Sequence, residues 1–200
     1  KDIKKIRKKL TFKNLEDKLT TLQANIYDSM FDNKKNIAYK EIINSLQIIR
    51  EILISDYERL YLDEFDNLID KVKIFKTHFA SLDIRQNHSV HKKTIEEILK
   101  RENLIKTSVD DLDKKELISI LLNSNIKVEK ADFDDELVND TIQNISHLID
   151  IQLKNGEEGC NRYIISNSED IYSVLFVYSL LKWCSWGENP ITMDIIPLFE

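Results

Sequence analysis

"RYIISNSEDIYSVLFVYSLLKWCSWGENPITMDIIPLF" runs from Arg162 to Phe199. Its first five residues, Arg162 to Ser166, form a short β-rich run. "EDIYSVLFVYSLLKWCSW" then reads as a helix apolar on most sides, and "ITMDIIPLF" from Ile191 as a second β-rich run. Strand, buried helix, strand is the order of a βαβ unit, whose two strands lie parallel because a crossover joins them and not a hairpin. Pro197 has no N–H for a ladder, so the second strand, expected over Ile191 to Leu198, should be ending there.

The residues before this unit read as helices. Leu15, Leu19, Leu22, Ile26 and Met30 fall on one helical stripe. "NIAYKEIINSLQIIREILIS" opens at Asn36, a good N-cap, and repeats apolar residues at helical spacing. A third helix from about Asp56 has Leu60, Phe65, Leu68, Val72 and Phe75 as its buried set. Further on, the pattern predicts a short helix around Thr94 to Lys100, one from Asp113 to Leu122, and a longer one from about Asp132 to Leu153 ended by Asn155 and Gly156. All three glycines and both prolines lie in the last quarter, which favours helices joined by Asn, Asp and Ser turns over a many-turned β fold.

One stretch interrupts the helices: "HFASLDIRQNHSVHKK", His78 to Lys93, with three of the four histidines. A strand over Phe79 to Ile84 would bury Leu82 and Ile84 on one face and set Asp83 and Arg85 on the other. Only six of the 29 basic residues are Arg, so an Arg at a strand end hints at a site needing a rigid, permanently charged fork for carboxylate or phosphate. A salt bridge from Arg85 to Asp83 or to a helix carboxylate is the plainer reading. His88 and His91 are spaced HxxH and, with Asp83, have the donor types for zinc, but no second ligand pair follows. Helix capping or hydrogen bonding is the alternative role for them, and His78 has none assigned. Glu200, directly after the last strand, suits a hard divalent cation, although one carboxylate does not make a site.

Composition excludes several classes. The first eighteen residues carry a net +5 and the remainder −11, a poor footprint for nucleic acid. "YSVLFVYSLL" is half the length of a membrane span, and no signal peptide is read. The two cysteines form no CxxC pair and suggest a reducing cytoplasm. There is no GxSxG elbow and no Gly-rich phosphate loop. The lysine-rich beginning without an initiator Met, and the ending after an apolar run, suggest a piece of a larger protein.

Three segments together resemble phosphoenolpyruvate carboxylase. "LDIRQNHSVH" (Leu82 to His91) is similar to that family's Leu-Asp-Ile-Arg-Gln segment, which ends five residues later in a His. "YIISNSEDIYSVLFVYSLLK" (Tyr163 to Lys182) resembles its Tyr-Val/Ile-Ile-Ser strand and following helix, and "IIPLFE" (Ile195 to Glu200) its Pro-Leu-Phe-Glu strand end. Asn87 and His88 depart from the family's acidic residue and Ser, and Ile171, Tyr172 and Ser173 from its Pro-Ser-Asp.

The resemblance implies a slice of one larger cytoplasmic lyase built on a (β/α)8-type barrel with extra helices. That enzyme adds bicarbonate to phosphoenolpyruvate with Mg²⁺ or Mn²⁺, giving oxaloacetate and phosphate, usually as a homotetramer. Its carbon dioxide fixation is an anaplerotic supply to the tricarboxylic acid cycle. By the resemblance, Arg85 matches the arginine that holds the anionic substrate and Glu200 one of two acidic metal ligands. The fold class expected is mainly α with a few short parallel strands: a helical region over 1–78, then part of an α/β barrel over 79–200 with a helical insertion at about 92–155. Lacking the other site residues, the 200-residue chain is expected to be inactive alone and to bind no metal. The rival reading is a helical interaction or scaffold module without catalysis. The two differ in whether Arg85 and Glu200 project toward one pocket.

Overall fold

A computed structural model describes residues 2–32, 34–129 and 132–199, except for the side chain of Lys13. The chain forms two compact units, residues 1–80 and 81–200. Mainly helical, it carries one small parallel sheet of three strands.

The first unit holds α1 (Asp2–Lys9), α2 (Lys13–Phe31), α3 (Tyr39–Asp56) and α4 (Leu62–Phe75). Their apolar stripes meet in one core, where Leu15, Leu19, Leu46, Ile49, Leu53 and Phe65 are sealed from solvent. The lysines of α1 stay outside while Ile6 and Leu10 turn in. Two expected details differ. The backbone enters α3 at Ala38 and not Asn36, without a side-chain cap. Leu60 and Phe75 are exposed, because the turn of left-handed residues at Glu58, Arg59 and Tyr61 delays α4 until Leu62, and α4 ends at Phe75.

In the second unit, β1 (Asp83–Asn87), β2 (Arg162–Ser166) and β3 (Asp194–Pro197) lie parallel in that order. β1 begins four residues later than the alternation predicts. Phe79 takes a left-handed backbone (φ 65°) and stacks on Phe75 at 4.9 Å, so residues 78–80 turn instead of extending. Leu82, expected inside, is exposed. Its N–H donates to Gly159 O (3.0 Å), and Ser81 Oγ donates to Glu158 O (2.6 Å). These two bonds draw the chain alongside β2 before the ladder starts.

α5 (His88–Arg101) follows at once, capped by the Asn87 side chain, which accepts from Ser89 N. That cap starts the helix six residues before the expected Thr94. α6 (Lys114–Asn123) is capped by Asp113. The long helix expected from Asp132 is two, α7 (Glu136–Ser146) and α8 (Leu148–Asn155), broken at His147. Gly156, at φ 87°, ends the second in a conformation that favours glycine.

α9 (Ile171–Leu181) is the buried crossover helix of the βαβ unit and packs against β3, α5, α6 and α7. Its Phe176, Val177, Leu180 and Leu181 are enclosed. Buried Ser179 is satisfied by donating toward Leu175 O and Leu121 O. The helix then widens into a π turn, Lys182–Trp186, whose buried Trp183 donates through its indole N–H to Ser124 O (3.2 Å). β3 is shorter than expected, because residues 191–193 are not laddered; it ends at Pro197, but the missing N–H is not the cause, since Leu198 N still donates to Ile165 O.

One polar contact crosses this core. His91 Nε2 lies 3.0 Å from the Tyr163 hydroxyl, linking α5 to β2. Burial drives the ring toward its neutral form, pushing its pKa down from 6.5 to about 3, with the charge of His88 adding to the effect.

Leu46→Ala in the first unit and Ile165→Ala in the second each empty a sealed site and should lower the stability of that unit by about 2–5 kcal/mol in urea melts, whereas exposed Ile74→Ala should change it by less than about 0.5 kcal/mol. The unfolded chain protonates His91 at higher pH than the folded one. Stability from this residue is therefore full above about 6.5 and lost as pH falls toward 3. His91→Phe should flatten that part of the pH dependence when the two melts are compared.

Candidate active site

Parallel strands gather their C-terminal ends on one side, and in α/β architectures ligands sit there. Here the ladder pairs Arg85 with Ile164 and Ile164 with Ile196, so the three side chains lie level on one sheet face. The same face carries Asp83, Arg162 and Asp194 one step earlier, and Asn87 and Ser166 one step later. The opposite face presents Ile84, Tyr163, Ile165 and Ile195 to the apolar core of the unit. Arg85 is exposed, and Ile164 and Ile196 are half-buried.

Asp83, weighed as the partner of Arg85, accepts a short ion pair from Arg162 Nε at 2.7 Å. Beyond Ile196, β3 is held to β2 by Leu198 N donating to Ile165 O (2.9 Å), and Ser168 N donates back to Leu198 O (2.9 Å). Glu200, the expected metal ligand, lies outside the described residues.

The histidines do not form the zinc set that their spacing allows. His91 is spent on Tyr163, and Asp83 on Arg162. His78 belongs to the other unit. Neither His88 nor His91 caps α5, since Asn87 does. Among the described residues no three His, Cys, Asp or Glu side chains are grouped to hold a metal ion, so these residues alone do not fit the divalent cation that the resemblance implies. The cysteines are no better placed for nucleophilic work. Both are buried, which raises the Cys160 thiol and pushes Cys184 up to about 12.

Sequence reasoning missed Tyr163 and Glu169. Tyr163 carried a signal, as an inward position of an alternating strand that ends in a hydroxyl. Glu169 carried none, because its approach to His88 depends on where α5 and α9 begin.

A fork-shaped, permanently charged donor on the open face of a parallel sheet can orient a carboxylate or phosphate. No described helix is long and apolar enough to cross a membrane.

Comparison with known proteins bears on this geometry. A family profile described as phosphoenolpyruvate carboxylase matches residues 1–200. The phosphoenolpyruvate carboxylase of Trichormus variabilis is 30% identical over 145 residues, covering 68% of this chain and 14% of that protein. That of Gloeobacter violaceus is 27% identical over 168 residues (80% and 18%), and that of Prochlorococcus marinus 26% over 196 residues (90% and 19%). The chain thus spans less than a fifth of the length of these relatives. Arg85 lies in the middle of β1 and not at its end as expected, and, with the family profile matching its whole length, the chain belongs to the phosphoenolpyruvate carboxylase family.

Proposed function

We propose that this chain forms one segment of a carboxylase that joins bicarbonate to phosphoenolpyruvate, yielding oxaloacetate and phosphate, and that Arg85 is its anion-holding residue. The observation that carries the reading is the register: Arg85 stands on the open sheet face level with Ile164 and Ile196, with β2 between its own strand and β3, the strand that leads to Glu200. Parallel sheets are normally covered on both faces, whereas this one exposes Asp83, Arg85, Arg162 and Asp194. A sheet with helices on one side and charged side chains on the other suits the wall of a (β/α)8-type barrel whose interior receives an anionic substrate.

In this reading residues 79–200 contribute part of the barrel, with residues 92–155 as a helical insertion, and residues 1–78 add outer helices. Arg85 orients the phosphate or carboxylate of the substrate by two parallel N–H bonds and offsets the negative charge that develops as the enolate forms. The Asp83–Arg162 pair keeps a carboxylate beside Arg85 neutralised, so it competes less for the substrate's place. Glu200 supplies one ligand to a Mg²⁺ or Mn²⁺ ion that needs further donors from the rest of the parent. A cytoplasmic homotetramer is the form proposed for that parent.

Two measurements test this. In the parent enzyme, Arg85→Ala should lower kcat/KM for phosphoenolpyruvate by roughly 10²–10³-fold, and Arg85→Lys should recover only part, because charge returns without the fork. Unchanged kinetics in both variants would remove Arg85 from the site. The 200-residue chain alone, given phosphoenolpyruvate, bicarbonate and Mg²⁺, should release phosphate no faster than a protein-free control.

A further inference from the structure

A second concavity, separate from the open sheet face, lies within residues 81–200. A cleft of about 200 Å³ opens between the first turns of α5 and α9 and the segment leading into α6. Its lining combines apolar side chains, Leu112, Leu117 and Phe176, with charges of both signs. Several of those charges are committed. Lys92 Nζ pairs with Asp110 at 2.5 Å, and Asp170 accepts from Tyr172 N as the cap of α9.

Two are not. The side chain of Lys114, the first residue of α6, makes no hydrogen bond or ion pair among the described residues. The exposed Glu169 carboxylate reaches only within 3.8 Å of His88 Nε2, beyond hydrogen-bond range. His88 itself is 6% exposed, lies against Phe176 with ring centroids 5.9 Å apart, and has its Nδ1 sealed without a partner. A buried imidazole, an uncommitted carboxylate, an uncommitted ammonium and an apolar lining meet in one cleft.

We propose that this cleft binds a small zwitterion, an α-amino acid with an apolar side chain. Its ammonium meets Glu169, its carboxylate meets Lys114, and its side chain packs on Leu112, Leu117 and Phe176. The His88 ring, with Nε2 3.8 Å from the Glu169 carboxylate, flanks that contact. A purely anionic ligand is disfavoured by Glu169, Asp110 and Asp170 on the rim, and a purely cationic one by Lys92 and Lys114. The site is independent of the Arg85 face and of the activity assigned to it.

The test is a titration of the ¹⁵N-labelled chain with L-leucine, with 4-methylpentanoate, which lacks the ammonium, and with isoamylamine, which lacks the carboxylate. L-leucine should saturate and shift the amides of residues 109–117 and 169–172, and the two truncated probes should bind at least about tenfold more weakly, each losing one charge-assisted contact. Lys114→Ala and Glu169→Gln, both at exposed side chains and checked for an otherwise unchanged spectrum, should weaken leucine to a similar degree. The proposal is overturned by an absence of saturable shifts at millimolar leucine in a well-dispersed spectrum. It is equally overturned if shifts map elsewhere, or if 4-methylpentanoate binds as tightly as leucine.

Discussion

β2 is the strand on which the second unit depends. It is hydrogen-bonded on both edges to parallel neighbours, and parallel neighbours cannot be joined by a tight turn. Each connection must therefore travel over a sheet face, and here both lay apolar side chains over the face that Tyr163 and Ile165 occupy. One crossover is the short helical return through α9. The other contains α5 to α8 and passes through more than seventy residues. Because both cover the same face, the other is left to Asp83, Arg85, Arg162 and Asp194. The polar character of that face follows from the side on which the helices fell.

Much of this was legible in the sequence, and the limits have physical causes. The strand Arg162 to Ser166 and the helix after it were read within a residue or two, because a β-rich run and a uniformly apolar one are local signals. β1 was misplaced toward its N-terminal side since alternation cannot register a left-handed residue, and Phe79 gives no compositional sign of one. The continuous pattern from Asp132 to Leu153 concealed a break at His147, where two helices share similar periodicity across a turn. At the site, Arg85 stood out through the scarcity of arginine. The fate of the histidines was hidden because Tyr163, the partner of His91, is seventy-two residues away.

The three histidines near Arg85 also illustrate how little residue type says about role. His91 is a buried neutral link in the core, and His88 a nearly enclosed ring beside an exposed carboxylate. Spacing suggested a common ligand set, but α5 begins at His88 and carries both rings into the unit. Burial in apolar surroundings disfavours the charged imidazole, and a single hydrogen bond is sufficient to fix a neutral one.

The register of β1 on β2 has a consequence for the order in which the chain acquires structure. Arg85 must meet Ile164 across seventy-nine positions of sequence, so the sheet waits for a large loop to close. The first eighty residues face no such delay, since their helices bury one another through neighbours close in the chain. On the ribosome the helical unit can pack as it emerges, while β1, synthesised directly after it, remains an unpaired strand until β2 arrives. During that interval β1 exposes its unpaired backbone N–H and C=O groups, and Asp83 and Arg85 are the charged side chains that keep the strand in solution.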